Sequence, residues 1–253
     1  MEPGFVSGEP ALLIGCRNEK ILVVADLHIG IEYDYYIRGI RIPSQSGNLV
    51  KRLDRLIEKT GADRLVFLGD VKHKVPGISR QELREIPDFF NHFTGRLKVD
   101  VVPGNHDGGI KACLPKKVRL HKSSGFRLGD FFLSHGHCWP AEGFSKARYL
   151  VSGHNHPHIE FRSKLGYRWS EPVWVRAKLD AQNIKKRYGA ISPMPELIIM
   201  PCFNVFAGGV ALNRENVNEE RKPFLGPLIN NINTRYARIY MLDGVYLGEL
   251  SKL

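Results

Sequence analysis

Ile21-Leu22-Val23-Val24-Ala25-Asp26-Leu27-His28 is the stretch from which the fold can be read. Five apolar residues in a row, without polar alternation, describe a short strand buried on both faces. The run stops at an aspartate, and a histidine follows two positions later. The arrangement returns downstream. Leu65-Val66-Phe67-Leu68 ends in Gly69-Asp70, and Val99 to Val102 ends in Pro103-Gly104-Asn105-His106-Asp107. Phe131 to Ser134 is followed by His135-Gly136-His137, and Tyr149 to Ser152 by Gly153-His154-Asn155-His156. In open α/β sheets, ligands gather outside the carboxyl ends of the strands. Strand ends rich in Asp, Asn and His are therefore expected to converge on one rim.

Between these runs the period changes to that of helices. From Ser46 to Thr60 the apolar residues Leu49, Leu53, Leu56 and Ile57 recur at helical spacing, and Gly61 supplies a stop. Residues 80–94 read as a second helix with Leu83, Ile86, Phe90 and Phe93 on one face, where Pro87 is expected to shorten or bend it. Strands alternating with helices predict crossover connections and a mainly parallel sheet. After residue 115 the rhythm is that of hairpins. Arg119 to His121 and Phe131 to Ser134 read as strands around the turn Gly129-Asp130. Residues 158–179 alternate as a half-exposed hairpin would, with Ile159, Phe161 and Trp174 among polar neighbours. Asp243-Gly244, between 238–242 and 245–250, is a strong two-residue hairpin signal. Asn213 to Lys222 reads as a long surface loop.

Composition narrows the class. With 253 residues, 43% apolar and 25% charged, the chain excludes disorder and collagen-like or coiled-coil architecture. The longest nearly uncharged stretch, Leu197 to Leu212, falls short of the roughly 20 apolar residues a membrane span needs. Met1-Glu2-Pro3-Gly4 lacks the basic-then-apolar order of a secretory signal, so a cytoplasmic protein without membrane contact is expected. Cys16, Cys113, Cys138 and Cys202 lie far apart, unlike a zinc ribbon or redox pair, and are expected to be reduced. The net charge of +11 is uneven. Residues 111–130 set Lys111, Lys116, Lys117, Arg119, Lys122 and Arg127 against Asp130 alone. Residues 161–190 set Arg162, Lys164, Arg168, Arg176, Lys178, Lys185, Lys186 and Arg187 against Glu171 and Asp180. These segments are either solvated faces or a cationic wall for a polyanion. Tyr167, Trp169 and Trp174, interleaved with the second segment, serve either hairpin packing or base stacking.

Taken in order, Asp26-x-His28, Gly69-Asp70, Gly104-Asn105-His106-Asp107, His135-Gly136 and Gly153-His154-Asn155-His156 resemble the signature of the calcineurin-like metallophosphoesterases, over residues 21–157. The resemblance implies an α/β, four-layered fold in which two stacked β-sheets are flanked by helices. It implies one domain over 1–253, with 158–253 completing the second sheet. It also implies a two-metal site. Asp26, His28 and His156 would hold one ion and Asn105, His135 and His154 the other, with Asp70 bridging. Carboxylate and imidazole suit manganese, iron or zinc, and manganese is the expected cofactor. Two such ions about 3.5–4 Å apart would share a hydroxide and clamp an in-line displacement. In His135-Gly136-His137 either ring could ligate, and family spacing points to His135.

By the same resemblance His106 supports the transition state and protonates the leaving oxygen, a role that suits imidazole, while Asp107 shapes the turn. Phosphoprotein phosphatases of the family carry an aspartate three residues after the bridging one. Here that position is His73, which resembles the repair-nuclease branch and is expected to be a second catalytic histidine. Asp26-Leu27-His28-Ile29-Gly30 and Gly69-Asp70-Val71-Lys72-His73, with the softer Pro201-Cys202-Phe203-Asn204 and Gly208-Gly209, resemble the ICC-like phosphoesterases, whose bacterial relatives are described as ligase-associated DNA-repair endonucleases. The expected function is a dinuclear-metal phosphodiesterase acting on nucleic acid. The alternatives are a phosphodiesterase or phosphomonoesterase for small substrates, and a nucleic-acid-binding subunit without turnover. A homodimer edge at the carboxy-terminal hairpin is open.

Overall fold

The apolar run at 21–25 forms the buried half of strand β3 (Glu19–Ala25), in a computed structural model that describes residues 2–214, 225–227, 232 and 236–253, and only the backbone at Asn183. β3 pairs in parallel with β4 (Arg64–Leu68), β4 with β5 (Lys98–Val102), and β5 with the short β6 (Arg119–Leu120). The other edge carries antiparallel strands β2 (Ala11–Cys16) and β1 (Gly4–Phe5). The first sheet therefore begins with a hairpin that the reading of crossovers did not anticipate. It runs in the order β1-β2-β3-β4-β5-β6.

The second sheet has the order β13-β10-β11-β12-β9-β8-β7. Its members are β7 (Phe126–Leu128), β8 (Phe131–Ser134), β9 (Tyr149–Ser152), β10 (Pro157–Arg162), β11 (Arg168–Lys178), β12 (Glu196–Ile199) and β13 (Val210–Ala211). β14 (Arg238–Met241) pairs with β11, and β15 (Tyr246–Glu249) pairs with β14 across the Asp243-Gly244 turn. One strand assignment needs correcting. The partner of β8 across Gly129-Asp130 is β7, while Arg119 and Leu120 belong to the first sheet. The expected loop at 213–222 lies, beyond Arg214, outside the described residues.

Alternation explains the layering, since successive strand residues face opposite sides. Ile21, Val23, Ala25, Val66 and Leu68 from one sheet meet Phe131, Leu133, Tyr149, Val151 and Ile198 from the other. Trp174 is sealed in the same layer, its ring 4.4 Å from that of Phe5. Leu22, Val24, Leu65 and Phe67 face the opposite way, onto helices α2 (Ser46–Thr60) and α3 (Arg80–Thr94). Leu150, Val175, Leu197 and Ile199 face outward onto Ile184 of α4 (Ala181–Tyr188) and onto Phe144. The molecule is thus an α/β fold of two stacked mixed sheets with helices on both outer sides.

α3 differs in detail from its sequence pattern. Its buried stripe is Glu82, Ile86, Phe89, Phe90 and Phe93, whereas Leu83 is exposed. The rotation follows from a capping box. The Ser79 hydroxyl accepts from the Glu82 N–H and the Glu82 carboxylate accepts from the Ser79 N–H, which turns Glu82 inward. Pro87 does not break the helix. The carbonyl it leaves without a donor belongs to Leu83, on the solvent side, where water can satisfy it. Among the described residues no helix is long and apolar enough to cross a membrane.

Candidate metal centre

β3, β4 and β5 of the first sheet and β8 and β9 of the second end at one rim, and the chain turns sharply at each end. Asp26, His28, Asp70, His154 and His156 all have left-handed backbone, with φ of 60°, 43°, 45°, 73° and 41°. Left-handed backbone costs a non-glycine residue of order 1–3 kcal/mol and persists only where the surroundings enforce it. Close packing enforces it here. A Cβ on Gly104 would lie 2.1 Å from Asp70 Oδ1, and one on Gly69 would lie 2.3 Å from the His135 ring. Glycine at both positions lets the loops approach closely enough to bring their side chains together.

The side chains form three overlapping groups. Asp26, His28 and His156 gather at one point and Asp70, His135 and His154 at another, while His28, His73 and His106 make a third. Asp26, His28, Asp70 and His135 are buried, and the other histidines of these groups are partly buried. His135 Nε2 is 2.9 Å from Asp26 Oδ1 and 3.5 Å from Asp70 Oδ2, so it stands between the two carboxylates. His28 Nε2 is 3.4 Å from His156 Nε2 and 3.9 Å from Asp70 Oδ2. Asn105 is exposed on the rim, flanked by Gly104 and by His106, whose N–H donates to Asp70 Oδ1 at 2.9 Å. His137 lies outside both carboxylate groups, with its Nδ1 2.9 Å from His135 Nδ1.

Hydrogen bonds fix several imidazole tautomers. His106 Nδ1 is 2.6 Å from the His73 carbonyl, which can only accept, so Nδ1 carries the proton. Its Nε2 is left facing the site, 4.0 Å from Asp70 Oδ2. His73 Nε2 donates to Asp34 Oδ2 at 3.0 Å, and its Nδ1 meets His28 Nδ1 at 3.2 Å. In the neutral form His73 Nδ1 accepts there, so His28 Nδ1 donates and His28 Nε2 keeps its lone pair towards Asp26 and His156. A hydrogen bond to the far ring nitrogen of this kind orients the other nitrogen for a metal ion.

Two carboxylates that sequence reasoning missed, Asp34 and Glu82, hold this arrangement in place together with Asp107 and the 201–204 run. Asp34, in α1 (Glu32–Ile37), fixes His73. The buried Glu82 carboxylate accepts the N–H groups of His73 and Lys74 at 2.9 and 2.7 Å and pins that loop to α3. Asp107 accepts from Gly104 and Lys72, at 2.8 and 3.1 Å, which ties the Asn105 loop to the Asp70 loop. The late Pro201-Cys202-Phe203-Asn204 run lies along the Asp26 loop. Its Phe203 N–H donates to the Ala25 carbonyl, Cys202 Sγ to that of Asp26, and Asn204 Nδ2 to that of Leu27, at 2.9, 3.0 and 2.7 Å.

Protonation divides the donors. Burial pushes His28 well below the ordinary imidazole range, and burial with the neighbouring His135 pushes His154 and His137 down to about 4. Burial works against the charge on Asp26, but His156 and His135 outweigh it and keep the carboxyl ionised far into acid. Burial likewise opposes a proton on His135, and its hydrogen bond to Asp26 prevails and raises it. Burial opposes a proton on His156 too, but Cys202 and Asp26 outweigh it and raise it to about 11. Divalent ions are ligated by unprotonated imidazoles and ionised carboxylates, so an ion binding at His135 and His156 would displace their protons. Asp and His donors meeting at two adjacent points, with no thiolate among them, fit borderline divalent cations.

A family model described as calcineurin-like phosphoesterase matches residues 19–187, from β3 into α4 and across all five motif-bearing strand ends. The chain belongs to this family. A calcineurin-like phosphoesterase is a metal-dependent phosphoester hydrolase, and two of the groups of donors at the rim pair carboxylate with imidazole and could each hold a metal ion. Among solved structures, the chain is similar to the nuclease MPE of Pseudomonas putida at 20% identity, over 92% of this chain and 97% of that one, with a TM-score of 0.51. At this identity the likeness is one of fold. Weaker likenesses are to a phosphoesterase from E. coli (20% identity, 56% and 73% of the chains, TM-score 0.36) and to a predicted phosphoesterase from Streptococcus pneumoniae (12%, 90% and 92%, TM-score 0.28). No curated protein matches the sequence.

Proposed function

We propose that this calcineurin-like phosphoesterase is a phosphodiesterase that cleaves nucleic acid with two divalent metal ions, manganese first among them. Asp26, His28 and His156 would hold one ion and Asn105, His135 and His154 the other, with the Asp70 carboxylate available to both. When bound, the pair would activate water and neutralise charge on the phosphate. The remaining steps fall to side chains of the chain itself. His106, with Nδ1–H held by the His73 carbonyl, presents Nε2 to the leaving oxygen and in its imidazolium form delivers a proton there. His73, held by Asp34, orients His28 and supports the loop whose carbonyl positions His106.

The observation that carries the nucleic-acid reading is the position of Arg162, Lys164 and Arg168. They lie on a hairpin that starts one residue after His156 and extends past the ligand-bearing rim. Among the described residues no Arg or Lys forms an ion pair with Asp26 or Asp70. Cations placed along an approach, rather than clamped on a reacting dianion, suit a polyanionic diester. The test compares hydrolysis of bis(p-nitrophenyl) phosphate, p-nitrophenyl phosphate and labelled single- and double-stranded DNA and RNA with manganese under one set of conditions. Cleavage of the diester and of at least one nucleic acid is expected. Cleavage of the monoester alone overturns the reading in favour of a small-substrate phosphatase, and tight nucleic-acid binding with no cleavage under any divalent ion overturns it in favour of a binding subunit.

A further inference from the structure

β11 does not end at the rim. Val175 is level with Ile199 and Ser152, where the site loops leave their strands, and Trp169 stands six residues further along. At roughly 3.3 Å per residue this is an overhang of about 20 Å. Across it β10 pairs with β11, with Phe161 opposite Trp169 and Arg162 opposite Arg168. Because β10 starts directly after the His156 loop, the arm is rooted in the site.

The rings on the arm form a ladder. Phe161 and Trp169 have centroids 5.5 Å apart and planes 20° from parallel, and Trp169 and Tyr167 follow at 5.9 Å and 21°. Tyr167 is 70% exposed and Trp169 39% exposed, so these rings cover little core, unlike the sealed Trp174 at the base. Lys164, in the turn next to them, is exposed, whereas Arg162 and Arg168 face the other side of the hairpin, where Arg168 pairs with Glu160 at 3.2 Å. An aromatic face open to solvent, with a lysine at its tip, is complementary to an unpaired base on a phosphate strand. Bases inside a duplex have both faces covered and cannot use it.

We propose that the β10–β11 arm is a base-stacking subsite for a single strand of nucleic acid, with bases lying on Tyr167 and Trp169 and a phosphate against Lys164 at its tip. The proposal rests on the nuclease reading and deepens it. The full chain, with EDTA present to suspend cleavage, is titrated against a fluorescein-labelled thymidine 12-mer and against a blunt duplex of the same length. The single strand is expected to bind more tightly than the duplex and to quench tryptophan fluorescence. Tyr167→Ala and Trp169→Ala are each expected to weaken single-strand binding about tenfold, with Tyr167→Phe restoring it because the face is kept. Lys164→Gln is expected to flatten the salt dependence by about 0.7 in the slope, the share of one phosphate that is no longer neutralised. Single-strand binding by the wild type that neither alanine variant weakens, in protein of unchanged thermal midpoint, overturns the arm and leaves the nuclease reading standing. Absence of nucleic-acid binding by the wild type overturns the arm, and absence of cleavage once manganese is restored overturns the nuclease reading as well. Self-association that Tyr167→Ala abolishes, with oligonucleotide affinity unchanged, assigns the rings to an interface between protein copies and also overturns the proposal.

Discussion

Asp34, His73 and His28 form a relay of orientation rather than of charge. Asp34 fixes the Nε2 proton of His73, which leaves His73 Nδ1 to accept from His28 and turns His28 Nε2 towards Asp26. Asp34→Ala is therefore expected to weaken metal binding about 10- to 100-fold, the usual cost of losing such a partner, with the fold intact, as titration of manganese into metal-free protein would show. His106→Ala should keep full metal content and lose about 10²–10⁴-fold in turnover on a diester. Loss of metal on that change would make His106 a ligand instead. The expected ligands were legible because Asp, Asn and His sit where apolar runs stop. Asp34 was not, because nothing in Glu32-Tyr33-Asp34-Tyr35 marks one carboxylate as turned towards a residue almost forty positions later. His137 stayed ambiguous until the structure placed it behind His135 and away from both carboxylates.

At the scale of elements, α3 shows how a site reaches into a helix. The periodicity of residues 80–94 points to Leu83, because a buried carboxylate at Glu82 has no hydrophobic signature. Glu82 faces inward to hold the backbone of His73 and Lys74, and Gly30 packs so closely on it that a Cβ there would lie 2.8 Å from Glu82 Cγ. Glu82→Ala leaves those donors unpaired and should cost on the order of 3 kcal/mol in a urea melt, together with a loss of activity through His73. β4 and β5 carry a second buried polar link, far from the chemistry. Asp100 accepts from Arg64 at 2.6 and 2.9 Å and meets His121 at 2.6 Å. Burial raises the Asp100 carboxyl, but His121 and Arg64 outweigh it and the net shift is downward. A carboxyl depressed in the folded state stabilises the protein above its unfolded value of about 3.9 and loses that contribution as pH falls through the folded value. The urea midpoint should accordingly drop in acid, and Asp100→Asn should show a flatter profile below about pH 4.

At the scale of the whole molecule, the four layers follow from alternation along the strands, and the order of the motifs was enough to expect them. The opening hairpin was not legible although Ala11-Leu12-Leu13-Ile14 is itself an apolar run, because a strand without a motif at its end carries no functional signal. Charge was only partly legible. The two basic segments are adjacent to site motifs in sequence, but strand direction divides them. Arg162 and Lys164 stand past the rim, whereas Arg176 pairs with Glu196 towards the opposite end of β11, and Arg127 lies near Arg64 and Lys98 at the starts of β4 and β5. Sequence proximity cannot tell the beginning of a strand from its end, so a surplus of +11 overstates what nucleic acid would meet at the site. The salt slope of binding should reflect the few cations on the arm side, and Arg127→Gln should leave it unchanged.

The most direct test is cleavage of a labelled single-stranded oligonucleotide as manganese is titrated into metal-free protein, with Asp70→Asn alongside. The expected result is cleavage that rises with manganese, saturates near two equivalents and vanishes in the variant. Cleavage undiminished in EDTA or in Asp70→Asn, or a wild type that with full manganese hydrolyses only monoesters, would contradict a two-metal nuclease built on this rim.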